Sequence, residues 1–317
     1  MDNPKIKQTA WDLDDIIAAP EGEPLKRITI ELEVVISKIE AMRPKLNEDI
    51  SSIDFNYALE LTERVTEAAN RLGAYAGLWF SEDTQNQAAL AFQGKIEQLT
   101  TEAQNRVLFL TLWWKTLPNE SADRLTASAP ENLRYYLCQQ RKEKPHVLTE
   151  HDEQIINIKN MNGSNALTTI YAMLTNKYIF NLEITSGNEN HELTRDALMT
   201  YVRNSDADLR ERAYKELYRV YAEDGMVLAQ VYKHLVQDWH EEQVKLRNYS
   251  TPIAIRNLRN NISDEVTEML LQTCRENASI FQNWFRIKAG LLQVNKLRRY
   301  VIYAPLTIAE QKYPYVE

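Results

Sequence analysis

The sequence predicts a mainly α protein: a multi-helix lobe of antiparallel helices with one small β-hairpin near residues 178–193. Three observations carry this. Only 8 glycines and 10 prolines punctuate 317 residues, too few for a turn-dense all-β fold. Ala, Leu, Glu, Gln, Lys and Arg, the strong helix formers, are abundant. Apolar residues recur at alternating spacings of three and four, the period of one helix face, and that period changes only at "KYIFNLEITSGNENHELTRD".

Residues 1–24 read as an irregular opening segment punctuated by Pro4, Pro20, Gly22 and Pro24, with Trp11 and Leu13 as anchors. A first helix is expected from Leu25 to Met42, ending near Pro44. The second carries the clearest stripe, Ala58, Leu61, Val65, Ala68, Leu72, Tyr75 and Trp79. Beside that stripe Gly73, Ala74, Ala76 and Gly77 are small enough for a close helix crossing. "SEDTQN" supplies a turn and cap before a third helix with Phe92, Ile96, Leu99, Ala103, Val107, Leu110 and Trp114 on one side. Short polar turns between such helices imply antiparallel neighbours. Shorter helices follow Pro118 as far as about Arg141.

In "KPHVLTEHDEQII" Thr149 is the expected N-cap, with Asp152 three residues on, while His146 and His151 read as surface-turn residues. Ile179, Phe180, Leu182 and Ile184 alternate and lead to Ser-Gly-Asn, which predicts hairpin strands at 178–184 and 190–193. Ser205, with Asp208 three residues later, is the expected cap of the next helix. A long helix from Met226 to Leu246 would bury Leu228, Val231, Leu235, Trp239 and Leu246. The next is capped by Ser263, has Asp264 and Glu265 in its first turn, and carries apolar positions from Val266 to Phe285. No repeat at 34 or 40–47 residues supports a solenoid.

A net charge of −8 disfavours general affinity for nucleic acid. No run approaches the roughly 18 apolar residues of a membrane span, and the N-terminus lacks the apolar core of a signal peptide. Cys138 and Cys274, far apart within helical patterns, read as two reduced packing residues, so the expected location is cytoplasmic. There is no GxSxG, glycine-rich phosphate loop or informative Cys-His pairing. His240-Glu241 opens like the zinc-peptidase signature HExxH, but Val244 stands where the second histidine belongs; after His191-Glu192 the corresponding residue is Arg195. No catalytic residue, metal ligand or cofactor is therefore assigned within this chain.

Two blocks resemble the oligoendopeptidase F branch of the M3 zinc metallopeptidases. "EEQVKLRNYSTPIAIRNLRNNISDEV" is similar to that family's Leu-Arg-Gly-Tyr-Ser segment, with Asn248 in place of the glycine. "FRIKAGLLQVNKLRRYVIYAPL" is similar to its stretch ending Tyr-Asp-Leu-Tyr-Ala-Pro-Leu, with Val301 in place of the aspartate. Weaker echoes, "GAYAGLWFSEDTQN" and "VRNSDADLRERAYKEL" among them, follow the family's order. The resemblance implies an N-terminal helical lobe over 1–195 and the helical beginning of the peptidase domain over 196–317, ending before HExxH. It implies zinc in the complete enzyme, short peptides as substrates, and a C-terminal catalytic half as the missing partner. The chain would form a wall of the substrate channel and be inactive alone. Arg247 and Tyr249 keep the family's Arg and Tyr and are the candidate substrate-binding residues, against a packing role at the helix end. The alternative function is a non-catalytic helical module, derived from that family, that binds peptides or proteins.

Overall fold

The computed structural model describes residues 12–184 and 190–306. In chain order it comprises α1 (Glu23–Met42), α2 (Ser52–Glu82), α3 (Gln87–Thr116), α4 (Asn119–Ser128), α5 (Glu131–Arg141), α6 (Glu150–Asn162) and α7 (Ser164–Asn176). Strands β1 (Phe180–Glu183) and β2 (Asn190–Leu193) follow, then α8 (Arg195–Thr200), α9 (Ala207–Glu223) and α10 (Gly225–His240). A π-helical turn (Glu241–Leu246), α11 (Ala254–Arg259), α12 (Asp264–Glu276) and α13 (Ala278–Leu291) complete the order. The fold is mainly α with one two-stranded antiparallel hairpin. No helix among the described residues is long and apolar enough to cross a membrane.

The chain divides into two compact units, each assembled from two stretches of sequence. The first takes the described residues up to Thr169 together with Gln237–Asn261. Its core joins Leu32, Ile36 and Ile39 of α1, Leu61 and Leu72 of α2 and Ile96 of α3, with Leu13 packed at its edge. The stripe on α2 is thus buried against α1 and α3, as its period requires. Trp11 lies outside the described residues. A second cluster gathers Phe55, Trp114, Leu125 and Leu137 where α4 and α5 fold back. There the buried Trp114 indole N–H donates to the Leu137 carbonyl. Arg141 caps the end of α3 by donating to the carbonyls of Trp114 and Leu117, at 2.7 Å each, which would otherwise lack helical partners.

The glycines of α2 correct one expectation. A Cβ built at Gly73 or Gly77 would meet nothing within 4 Å, so no helix crosses closely there. They border an open cavity of about 360 Å³ that Gln93, Thr100, Asn165 and Thr168 also line. The buried Gln93 Oε1 has no hydrogen-bond partner among the described residues. Cys138 and Cys274 are free and lie on helices, but both are exposed instead of buried in packing.

The second unit takes Ile170–Val236 and the described residues from Ile262 onward. Phe180 and Leu182, on the inward face of β1, join Leu198, Leu209, Ala213 and Val220 in its core. The register pairs Leu182 with His191 and Asn181 with Glu192, so the second His-Glu pair sits on a strand. The Ser-Gly-Asn segment lies outside the described residues. Asp206, not Ser205, caps α9: its carboxylate accepts from the backbone N–H groups of Asp208 and Leu209. Arg210 is buried and donates to the carbonyls of Asn204, Ser205 and Tyr300, tying the Tyr-Ala-Pro-Leu block into this unit. Of that block Tyr303 and Leu306 are exposed, while Val301 is buried, a place where a valine fits and an unpaired aspartate would not.

Candidate functional site

Arg247 and Tyr249 belong to the first unit, on the stretch that rejoins it after a long excursion of chain. The approach is a change of helix type. α10 ends at His240 and the next six residues form a π turn, so that the Arg247 N–H donates to the Glu242 carbonyl and the Tyr249 N–H to that of Gln243. The predicted helix to Leu246 is therefore α up to His240 and π beyond it, and Leu246 is 54 % exposed instead of buried. Val231 is buried, and Leu228, Leu235 and Trp239 are half-buried. Asn248 follows with φ 58°, in the left-handed region where glycine is easiest and asparagine is among the best tolerated alternatives. This accounts physically for asparagine where the family pattern has glycine.

The turn aims the Arg247 guanidinium at two carboxylates. Its Nη1 and Nη2 donate to Oε1 and Oε2 of Glu153, both at 2.7 Å, and its Nε donates to Glu242 Oε1 at 2.9 Å. All three side chains are largely enclosed, with 14 % of Arg247 and 11 % of Glu153 accessible. The carboxylates are themselves held. Glu153 accepts from the Leu148 N–H, and Glu242 accepts from the side-chain amides of Asn160 and Gln243. Glu153 stands in the first turn of α6, which begins at the predicted cap, Thr149 Oγ1 accepting from the Asp152 N–H, and whose positive end favours a carboxylate.

Burial works against the ionised form of Glu153, but the hydrogen bonds and charge of Arg247 outweigh it and hold its pKa below the usual carboxylate range. Arg247 likewise loses solvation, and the same two carboxylates more than restore its charge and raise its pKa. The cluster is a closed arrangement of paired charges, one guanidinium held between two carboxylates.

Tyr249 is 5 % exposed, and its ring stacks on His146 with centroids 3.6 Å apart and planes 17° from parallel. His146 Nδ1 lies 2.7 Å from the Arg247 carbonyl oxygen, so Nδ1 carries the hydrogen and donates it. His146 does lie in a half-exposed turn, Lys144–His146, and from there it is also a partner of the motif. Burial raises the pKa of the Tyr249 phenol, with the Glu143 charge adding to it. Nearby Glu143 bridges Lys115 at 2.7 Å and Arg259 at 3.6 Å, and Asn261, again at positive φ, links Lys142 and Tyr135. Together these contacts clamp the returning stretch 237–261 onto α3, α5 and α6. The structure brings the two candidate residues into one largely enclosed clamp, in which all three guanidinium nitrogens donate to protein carboxylates.

Among the described residues no three His, Cys, Asp or Glu side chains converge in a way that could hold a metal ion. His240 and Glu241 are neighbours on the helix surface, with Nδ1 3.4 Å from Oε1, and His191 is committed to the hairpin. The donor set among the described residues does not fit zinc.

A family model described as Oligopeptidase F matches residues 113–180, which run from the end of α3 through α6 and α7 to the start of β1. The chain is 23 % identical over 314 residues to Oligopeptidase PepF of Bacillus subtilis (strain 168), a match covering 96 % of this chain and 45 % of the relative. It is 25 % identical over 305 residues to an oligoendopeptidase F homolog of Borreliella burgdorferi, covering 94 % and 49 %. The chain is similar to the oligoendopeptidase F branch of the M3 peptidases. The fold is likewise that of the crystal structure of oligoendopeptidase-F from Enterococcus faecium, with a TM-score of 0.78 at 22 % identity over 90 % of this chain and 56 % of that one. The chain spans about half the length of the curated oligoendopeptidase F relatives it matches.

Proposed function

We propose that these residues are the N-terminal part of an oligoendopeptidase F-like zinc peptidase that hydrolyses short peptides, with 1–195 its helical lobe and 196–317 the beginning of its peptidase domain. The observation that carries this reading is the match of nearly the whole chain to about half of relatives named as oligopeptidases, together with the absence of HExxH from the sequence. The chain contributes a wall of the substrate channel, and the zinc ligands and catalytic glutamate belong to polypeptide outside these residues. Arg247 and Tyr249 then serve the peptide at one remove, as positioning residues that fix the returning stretch. A cytoplasmic location suits two exposed free thiols, which persist in a reducing compartment.

The test is a fluorescence-anisotropy titration of a labelled, unstructured peptide of about ten residues with the pure chain, followed by mass analysis of the peptide. Saturable binding with the peptide intact is expected. A chain that binds no peptide under any salt condition would contradict the wall role.

A further inference from the structure

We infer that the α12–α13 pair is the docking face for the second half of the family-length polypeptide, joined to this chain or separate; this rests on the proposed function. The pattern in the sequence and the position in the structure disagree in a telling way. On α12, Val266, Met269 and Leu270 fall at spacings of three and one, and on α13 Ile280, Trp284 and Ile287 fall at four and three. These are the spacings of helix faces that bury. Yet α12 has no buried residue at all, and the six side chains are between 45 % and 62 % exposed. Apolar surface gathered in this way is uncommon on a self-sufficient domain and marks a site of association.

Two observations choose the occupant. The matched relatives contain about as much polypeptide again as this chain supplies, and only 56 % of the solved Enterococcus faecium chain lies within the matched region. The polar side of α12 carries Asp264, Glu265, Glu268 and Glu276 against one Arg275, the opposite of the basic face that an anionic lipid surface attracts.

The test places a benzophenone photo-crosslinking side chain at Leu270 or Trp284, and at Gln272 on the polar side as control, in the full chain inside the cell that makes it. Crosslinked products are sequenced by mass spectrometry. Crosslinks from 270 and 284, but not from 272, to M3-type polypeptide of the HExxH-bearing half are expected. Crosslinks to a second copy of this chain, to lipid, or equally from 272 would overturn the assignment, as would none. If the HExxH-bearing half co-purifies but crosslinks only elsewhere, the docking face fails while the proposed function stands. If no such polypeptide accompanies the chain, both fail.

Discussion

Arg247 is the residue on which the buried clamp turns. Removing one partner of an enclosed ion pair leaves the other charges desolvated and unpaired, so Arg247→Met should lower stability by about 3–5 kcal/mol in chemical denaturation. The fork on Glu153 also sets a pH dependence. Because the folded-state pKa of Glu153 is depressed below its ordinary 4.5, its contribution is fully present above that value and is lost as pH falls through the lower folded value. Glu153→Gln should therefore be less stable than the parent at neutral pH, and the difference should shrink in melting curves taken at progressively lower pH below about 4.5. Asn248 supplies a backbone test. At φ 58° Asn248→Gly should change stability by less than ~0.5 kcal/mol, whereas Asn248→Val should cost about 1–2 kcal/mol. Little of this geometry was legible in the residues themselves. "LRNYS" marked the place, but Glu153 lies 94 residues from Arg247 and His146 lies 101 from its acceptor, distances at which no local pattern connects side chains.

Elements were more legible because their causes are local. The α2 and α3 stripes, the Thr149 and Ser263 caps and the hairpin registered as they did because period and capping chemistry act within a few residues. In "NSDAD" two side chains could cap, and the choice of Asp206 depends on Asn204 Oδ1 accepting the Asp206 N–H, a preference the bare sequence leaves open. The π turn after His240 has no signature in residue types, since one extra residue per turn leaves composition unchanged. Glycines in α2 misled for a different reason: small size permits a close crossing without requiring one. Since both face open space, Gly73→Ala and Gly77→Ala should each stabilise by up to about 1 kcal/mol in thermal melts. Gly163 behaves oppositely. There a Cβ would sit 2.8 Å from the Lys159 carbonyl oxygen, so Gly163→Ala should destabilise by ~1–3 kcal/mol.

Over the whole molecule, the family resemblance, helical fold and hairpin could be read from two motif-like blocks and a period, but the interleaving of two compact units could not. That partition depends on 237–261 returning to the first unit through ion pairs, which act across the chain and leave no mark on hydropathy. The exposed faces of α12 and α13 show the same limit of local reading: the apolar pattern marks a helix face that buries, yet these side chains are 45–62 % exposed. Replacing Leu270 and Trp284 by Glu should leave the melting transition of the isolated chain within about 0.5 kcal/mol of the parent for each change, since neither side chain is buried. The central proposal is that this chain is the non-catalytic part of an oligoendopeptidase F-like peptidase. It is tested most directly by incubating the pure 317-residue chain with zinc and a quenched fluorescent peptide. No cleavage above the protein-free control is expected, whereas hydrolysis abolished by a chelator and restored by zinc would contradict it.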